Sequence, residues 1–314
     1  MKVLFLDTVH PLLEQRLSRA GMACIDATKA DPQLGVAQHP DTQGLVLRSR
    51  VRIDKNVLDR LPYLRFICRS GAGLENIDLD ATSARGIHVY NSPEGNRDAV
   101  GEHTLGMLLS LLHKLRMGDL SLRSGHWDRE GHRGRELNAL TVGIIGFGHM
   151  GSALAEKLQG LGCRILACDP HHKDLKLALN GRGSAVDLDT IHREADVVSL
   201  HCNLTEETAS MVDRDFISRF FRPVIILNTS RGKVVNTEDL LDALDSGQVL
   251  AAGLDVFDRE ASSFEHAGHE DDPVWTRLMA HPLVQVSPHV AGWTQESYRK
   301  LSDVLADKVL ADFS

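Results

Sequence analysis

Short β-like runs alternate with helical patterns along almost the whole chain. An early series predicts strands at residues 3–7, 44–48, 65–69 and 88–90, with helical patterns at 12–20, 54–61 and 78–85 between them. A second series predicts strands at 141–145, 164–169, 196–201, 224–228, 249–255 and 283–286, again separated by helical stretches. Such alternation predicts parallel sheets covered by helices on both faces. Residues 96–117 are apolar along one face and predict one long helix joining the two series. A second connection is expected near Ser287-Pro288, a last helix over 295–313, and a surface loop over the polar stretch 258–272. The expectation is an α/β chain of two doubly wound parallel-sheet domains, one of residues 1–95 with 290–314 and one of residues 96–289.

The length of 314 residues agrees with two domains, since it exceeds the usual size of one core. A net charge of −8 gives no support for a nucleic-acid or acidic-membrane partner, yet it leaves room for a small anionic substrate held by local arginines. The five cysteines form no C-x-x-C pair and read as free thiols of a reducing compartment. The first apolar run is too short for a signal segment, and none is long enough to span a membrane. A cytoplasmic enzyme is the expectation.

The strongest single signal is Thr141-Val-Gly-Ile-Ile-Gly146-Phe-Gly148-His149-Met150-Gly151. Gly146, Gly148 and Gly151 form G-x-G-x-x-G at the end of a predicted strand and the start of a helix. The first glycine permits a tight turn, the second lets the backbone approach a pyrophosphate, and the third allows close helix–strand packing. The helix N-terminus then offers N–H groups to the phosphates. Asp169, 18 residues beyond Gly151, stands where an acidic side chain accepts hydrogen bonds from the adenosine ribose. Its charge would repel a 2′-phosphate, which points to NAD over NADP. Alone, it would also serve as a helix cap.

Three more segments fall at predicted strand ends and carry Arg231, Glu260 and His289. Each taken singly has an ordinary structural reading. Together, downstream of a dinucleotide turn, they match what reduction of a 2-oxo acid requires. Histidine can deliver a proton near neutral pH, a carboxylate can fix its tautomer, and arginine binds a carboxylate with a planar fork. The histidines His266 and His269 stand beside acidic residues but match no zinc spacing, so no metal is expected.

These stretches resemble the D-isomer-specific 2-hydroxyacid dehydrogenase family. The resemblance rests on Gly146–Gly151, Asn228-Thr-Ser-Arg-Gly232, Gly253-Leu-Asp-Val-Phe257 with Glu260, and Ser287-Pro-His-Val-Ala-Gly292. Arg69-Ser-Gly-Ala-Gly-Leu-Glu-Asn-Ile-Asp78 and Asn91–His103 match as well, in the family's order. The resemblance implies a Rossmann NAD domain inserted in a flavodoxin-like substrate domain and a homodimer built through the cofactor domains. It implies the catalytic set Arg231, Glu260 and His289. It also implies that Gly71, Ala72 and Gly73 present N–H groups to the substrate carboxylate, that Asp255 holds the nicotinamide carboxamide, and that Thr229 and Ser230 line the cofactor. His149, Met150 and Gly292 count with the cofactor residues by their place in the matching stretches. Two departures lie in loops: Ala261 follows the glutamate, and Cys202-Asn203 replaces a common proline.

Within the family the chain is most similar to short forms of D-3-phosphoglycerate dehydrogenase, through Pro93–Met107 and His289–Tyr298. A distal phosphate needs its own cations, and Arg48, Arg69, Arg129 and Arg133 are the candidates. A glyoxylate/hydroxypyruvate or D-lactate type reductase is the alternative enzyme. An NAD-sensing scaffold, like the corepressors of this fold, is the alternative of another class. No serine feedback of the long-form type is expected.

Overall fold

A computed structural model describes residues 1–172, 174–260 and 272–313. The described chain divides into two compact units, each built on its own parallel sheet. The first takes in Met1–Arg97 and the chain from Trp293 onward; the second takes in Asp98–Glu260 and the chain up to Gly292.

The first unit holds β1 (Lys2–Phe5), β2 (Ala23–Asp26), β3 (Gly44–Leu47), β4 (Phe66–Arg69) and β5 (His88–Asn91). They lie in the order β2-β1-β3-β4-β5, all parallel, which is the flavodoxin-like order. Successive side chains of a strand point to opposite faces, so a strand with two covered faces must be apolar at every position. Accordingly, Phe66 and Cys68 enter a core with Val3, Phe5 and Leu305, while Ile67 enters another with Leu4, Leu45 and Leu47. The last helix, Gln295–Phe313, supplies Leu305 and Val309 to the first of these cores. Arg16 ties its exposed side through Asp303 and Asp307, both at 2.6 Å.

The second unit holds β6 (Thr141–Ile145), β7 (Arg164–Cys168), β8 (Ser184–Ala185), β9 (Val197–Leu200), β10 (Val224–Asn228), β11 (Val249–Leu254) and β12 (Val284–Val286). Their order is β12-β11-β10-β9-β6-β7-β8, all parallel. Counted from β6, this is the Rossmann order extended by one strand, as the sequence predicts. Both faces are again covered: Val224 and Ile226 face one core, Ile225 and Leu227 the other.

Three expectations change. The single helix over 96–117 is two: Pro93–Leu112 and Leu115–Arg123, separated by Lys114 at φ +50. The apolar pattern runs through this break, so periodicity gave no sign of it. The strands β2 and β8 were not predicted. Both are short sheet edges of partial burial, so neither carries a long apolar run. Most of the expected loop over 258–272, with Ala261, His266 and His269, lies outside the described residues. Among the described residues no cluster of three metal-ligating side chains occurs, and no helix is long and apolar enough to cross a membrane.

Candidate active site

The ends of the second unit's strands gather most of the groups singled out from the sequence. At the end of β6, Gly146 turns the chain at φ +89. A Cβ there would lie 2.6 Å from the Cys202 nitrogen, because the chain leaving β9 presses on this turn. Only glycine combines that φ with that clearance. A Cβ on Gly151 would lie 2.1 Å from the Gly146 carbonyl oxygen, so the helix His149–Gln159 is packed directly on the turn. A Cβ on Gly148, by contrast, would meet nothing within 4 Å. Gly148 is the N-cap and has no side chain to satisfy the helix's first N–H groups. Gly148 and His149 are exposed, Met150 is half-buried and Gly151 buried. An exposed, uncapped helix N-terminus over a backbone-only turn fits a diphosphate.

Asp169 follows β7 and is anchored to the same turn. One carboxylate oxygen accepts the Phe147 N–H at 2.8 Å, the other the His171 N–H at 3.0 Å. Each oxygen keeps a second lone pair for a ribose hydroxyl. Beneath the turn, burial holds the His201 imidazole down at about 4 and pushes the Cys202 thiol up to about 11. Neither is a reactive group in that setting.

At the end of β10, Asn228 organises the next turn. Its side-chain oxygen accepts the Ser230 N–H (3.0 Å) and hydroxyl (2.9 Å), and its amide donates to the Arg231 carbonyl at 2.9 Å. Thr229 and Ser230 are buried, and the Thr229 hydroxyl meets that of Thr104 at 3.0 Å. Arg231 is half-buried, with Nη1 donating to the Ser230 carbonyl at 2.7 Å. Gly232 is required by contact: a Cβ there would lie 1.7 Å from the Phe257 carbonyl oxygen. The absent side chain lets the Arg231 turn rest on the backbone of the loop that carries Glu260.

Glu260 accepts the Phe257 N–H on one oxygen at 2.7 Å and pairs through the other with His289 Nδ1 at 2.8 Å. The three predicted catalytic residues therefore stand on adjoining strand-end loops of one unit. His289 has φ +53, a left-handed conformation that costs a non-glycine residue about 1–3 kcal/mol and persists only when its surroundings over-determine it. Asp255 does this. Its carboxylate is 1% exposed and accepts the Ser287 hydroxyl (2.5 Å) and the N–H groups of Val290 (2.9 Å) and Ala291 (2.8 Å). Its backbone carbonyl accepts the His289 N–H at 2.8 Å. Those bonds offset the desolvation of a buried carboxylate. Gly292 closes the loop, half-buried. From the helix Pro93–Leu112, His103 Nε2 reaches Ser287 Oγ at 2.9 Å.

The first unit places other candidates at its own strand ends. Arg48 follows β3 and Arg69 ends β4, on neighbouring strands in register. The Arg48 guanidinium lies 4.2 Å over the Trp293 ring, which meets Tyr298 edge-on at 5.3 Å. Arg69 curls over the next turn, where a Cβ on Gly71 would strike its guanidinium at 1.6 Å. The Gly71 N–H donates to Ser92 Oγ at 3.3 Å, and the Ala72 carbonyl accepts from Asn91 at 2.6 Å. Of this glycine turn's expected N–H donors, Gly71 is thus already engaged by Ser92, while Ala72 and Gly73 follow it. Arg129 and Arg133 belong to the second unit, not the first, on an exposed turn where Arg133 pairs with Glu130 at 2.8 Å. Asn228, Ser287 and His103 were not singled out by sequence. All three sit inside matching stretches, a signal that could have found them. The contact between His103 and Ser287 spans 184 residues and has no local signal.

Residues 105–291 match the family described as D-isomer specific 2-hydroxyacid dehydrogenase, NAD binding domain. The chain is 33% identical over 273 residues to hydroxypyruvate reductase of Thermotoga maritima, covering 87% of this chain and 85% of that protein. It is 34% identical over 274 residues to D-3-phosphoglycerate dehydrogenase of Mycobacterium tuberculosis, covering 87% of this chain and 50% of the relative. The match thus spans half of that longer protein. Among solved structures, D-lactate dehydrogenase from Aquifex aeolicus, complexed with NAD and lactic acid, is similar with a TM-score of 0.83 and 25% identity. That likeness covers 99% of this chain and 95% of the other.

Proposed function

The chain belongs to the D-isomer specific 2-hydroxyacid dehydrogenases, enzymes that use NAD, and on that premise we propose that His289 is its acid/base, Glu260 its orienting carboxylate and Arg231 its substrate clamp. The observation that carries this reading is the 2.8 Å pair between Glu260 and His289 Nδ1 on a loop pinned by Asp255. With Nδ1 held by a carboxylate, Nε2 is the nitrogen that exchanges a proton with substrate. When bound, the nicotinamide supplies a hydride to C2 of a 2-oxo acid, or accepts it in the reverse direction. His289 gives the proton that the 2-oxo oxygen gains, and takes it back when the alcohol is oxidised. Arg231 grips the substrate carboxylate and polarises the neighbouring carbonyl. Gly146, Gly148, His149, Met150 and Gly151 receive the diphosphate, Asp169 the ribose, and Thr229, Ser230 and Gly292 line the cofactor. Asp255 acts chiefly by shaping the histidine loop; a role toward the carboxamide would fall to its remaining lone pair.

For the substrate, we propose 3-phosphohydroxypyruvate and its alcohol 3-phosphoglycerate. Arg48 and Arg69 at adjoining strand ends support an anionic distal group, and Ala72 and Gly73 offer N–H groups to the carboxylate. The specific reading against it is hydroxypyruvate itself, favoured by the Thermotoga relative matched along 85% of its length. A homodimer is supported by the helix Leu115–Arg123, which leaves Leu115, Leu120 and Leu122 exposed, with Trp127 beyond it. Arg129 and Arg133 follow this surface and would act from there.

The deciding experiment is NADH oxidation across 2-oxo acids with and without a distal phosphate. We expect kcat/KM for 3-phosphohydroxypyruvate to exceed that for hydroxypyruvate by at least about tenfold, the worth of one charge-assisted contact. Preference for hydroxypyruvate or glyoxylate would overturn the phosphate reading. NADH binding without oxidation on any substrate would point instead to an NAD-sensing scaffold.

A further inference from the structure

We propose that His103 is a positioning residue for the catalytic histidine, acting through Ser287 rather than on substrate; the inference rests on His289 being the proton donor. Proton bookkeeping leads to it. The Ser287 hydroxyl has one hydrogen and gives it to Asp255, since a carboxylate only accepts, at 2.5 Å. The 2.9 Å contact between Ser287 Oγ and His103 Nε2 must therefore be donated by the imidazole. His103 thus carries a hydrogen on Nε2 and aims the hydroxyl at Asp255. The direct separation of His103 Nε2 from Asp255 Oδ1 is 3.6 Å, too long for a hydrogen bond, so the serine is the link.

What the serine holds is the start of the histidine loop. Ser287 anchors it on one side of His289, and Val290 and Ala291 anchor it on the other, all on one carboxylate. His289 stands between these anchors in its left-handed conformation. Release of the first anchor frees the backbone just ahead of it. His103 is itself well placed to be rigid. Its neighbour Thr104 meets the Thr229 hydroxyl, and Met107, one turn on, fills the space that a Cβ on Gly253 would enter at 2.5 Å. One helix face thus braces three strand ends of the second unit.

The test compares His103→Phe, which keeps a ring without the donor, with His103→Gln, whose amide nitrogen can reach the Nε2 position. We expect His103→Phe to lower kcat about tenfold on every 2-oxo acid, with KM and NADH affinity within about twofold. His103→Gln should recover kcat to within about threefold of the native enzyme. Ser287→Ala should show the same loss as His103→Phe, and the double variant no further loss, because both cut one link. Native kcat in His103→Phe, or losses that multiply in the double variant, would overturn the proposal. Should His103→Phe fail to fold, Ser287→Ala and His103→Gln still carry the test. Turnover surviving in His289→Gln would instead remove the premise, whatever His103 does.

Discussion

The strand ends of the two units hold their polar groups in different ways. In the second unit, the groups proposed for the chemistry are fixed by several bonds each. Asp255 receives three hydrogen bonds on its carboxylate, Asn228 makes three with its amide, and both oxygens of Glu260 are engaged. In the first unit, Arg48 lies on the face of a half-exposed Trp293, and Arg69 curls over a glycine turn. A guanidinium stacked on a ring binds through its face, whereas a pinned carboxylate is held through every hydrogen bond it accepts. On the proposed reading, reaction chemistry belongs to the second unit and substrate choice to the unit that carries Arg48 and Arg69. Changes in the second unit should then affect all substrates alike, and changes in the first should affect them unequally.

The largest expected effect is His289→Gln. Loss of a general acid/base costs about 10²–10⁴-fold in turnover, here on every 2-oxo acid, with NADH affinity by fluorescence titration nearly unchanged. Loss confined to one substrate would break the division.

The second unit's interior should also show itself in acid. Burial holds His201 down at about 4, against about 6.5 for an exposed histidine. Above pH 6.5 the group is neutral in both states and stability is unaffected. As pH falls towards 4, the unfolded chain takes up a proton that the folded chain refuses. Stability then declines by about 1.4 kcal/mol per pH unit, to about 3 kcal/mol in total. Denaturant unfolding from pH 7 to 4 measures this, and His201→Gln should flatten the slope. An equal slope in that variant would remove His201 as the cause.

A smaller effect is expected at Asp169. Replacing it with alanine removes the repulsion of a 2′-phosphate, so the NAD preference in kcat/KM should fall by about tenfold. It also removes the anchor of Phe147, so NAD affinity should weaken somewhat as well. Unchanged kinetics with both cofactors would take Asp169 out of the site.

Much of this was legible in the sequence where composition and geometry are the same thing. The Gly146–Gly151 spacing is itself a statement about clearance, and the structure shows the clearances. The central strands of both sheets are apolar throughout because both faces are buried. Arg231, Glu260 and His289 could be grouped because parallel strands deliver their ends to one edge. The rest depended on contacts without local signal. Lys114 breaks a helix inside an unbroken apolar pattern, β2 and β8 are edges with little to bury, and His103 meets Ser287 only after folding. For Asp255 the resemblance implies a cofactor contact, while its hold on the histidine loop is visible only in the bonds it makes within the chain.

The division between the units is tested most directly by one ratio. Arg48→Gln, assayed by NADH oxidation on 3-phosphohydroxypyruvate and on glyoxylate, should lose about tenfold in kcat/KM on the first and almost nothing on the second. An equal loss on both substrates, or none on either, would contradict the assignment of substrate choice to the first unit.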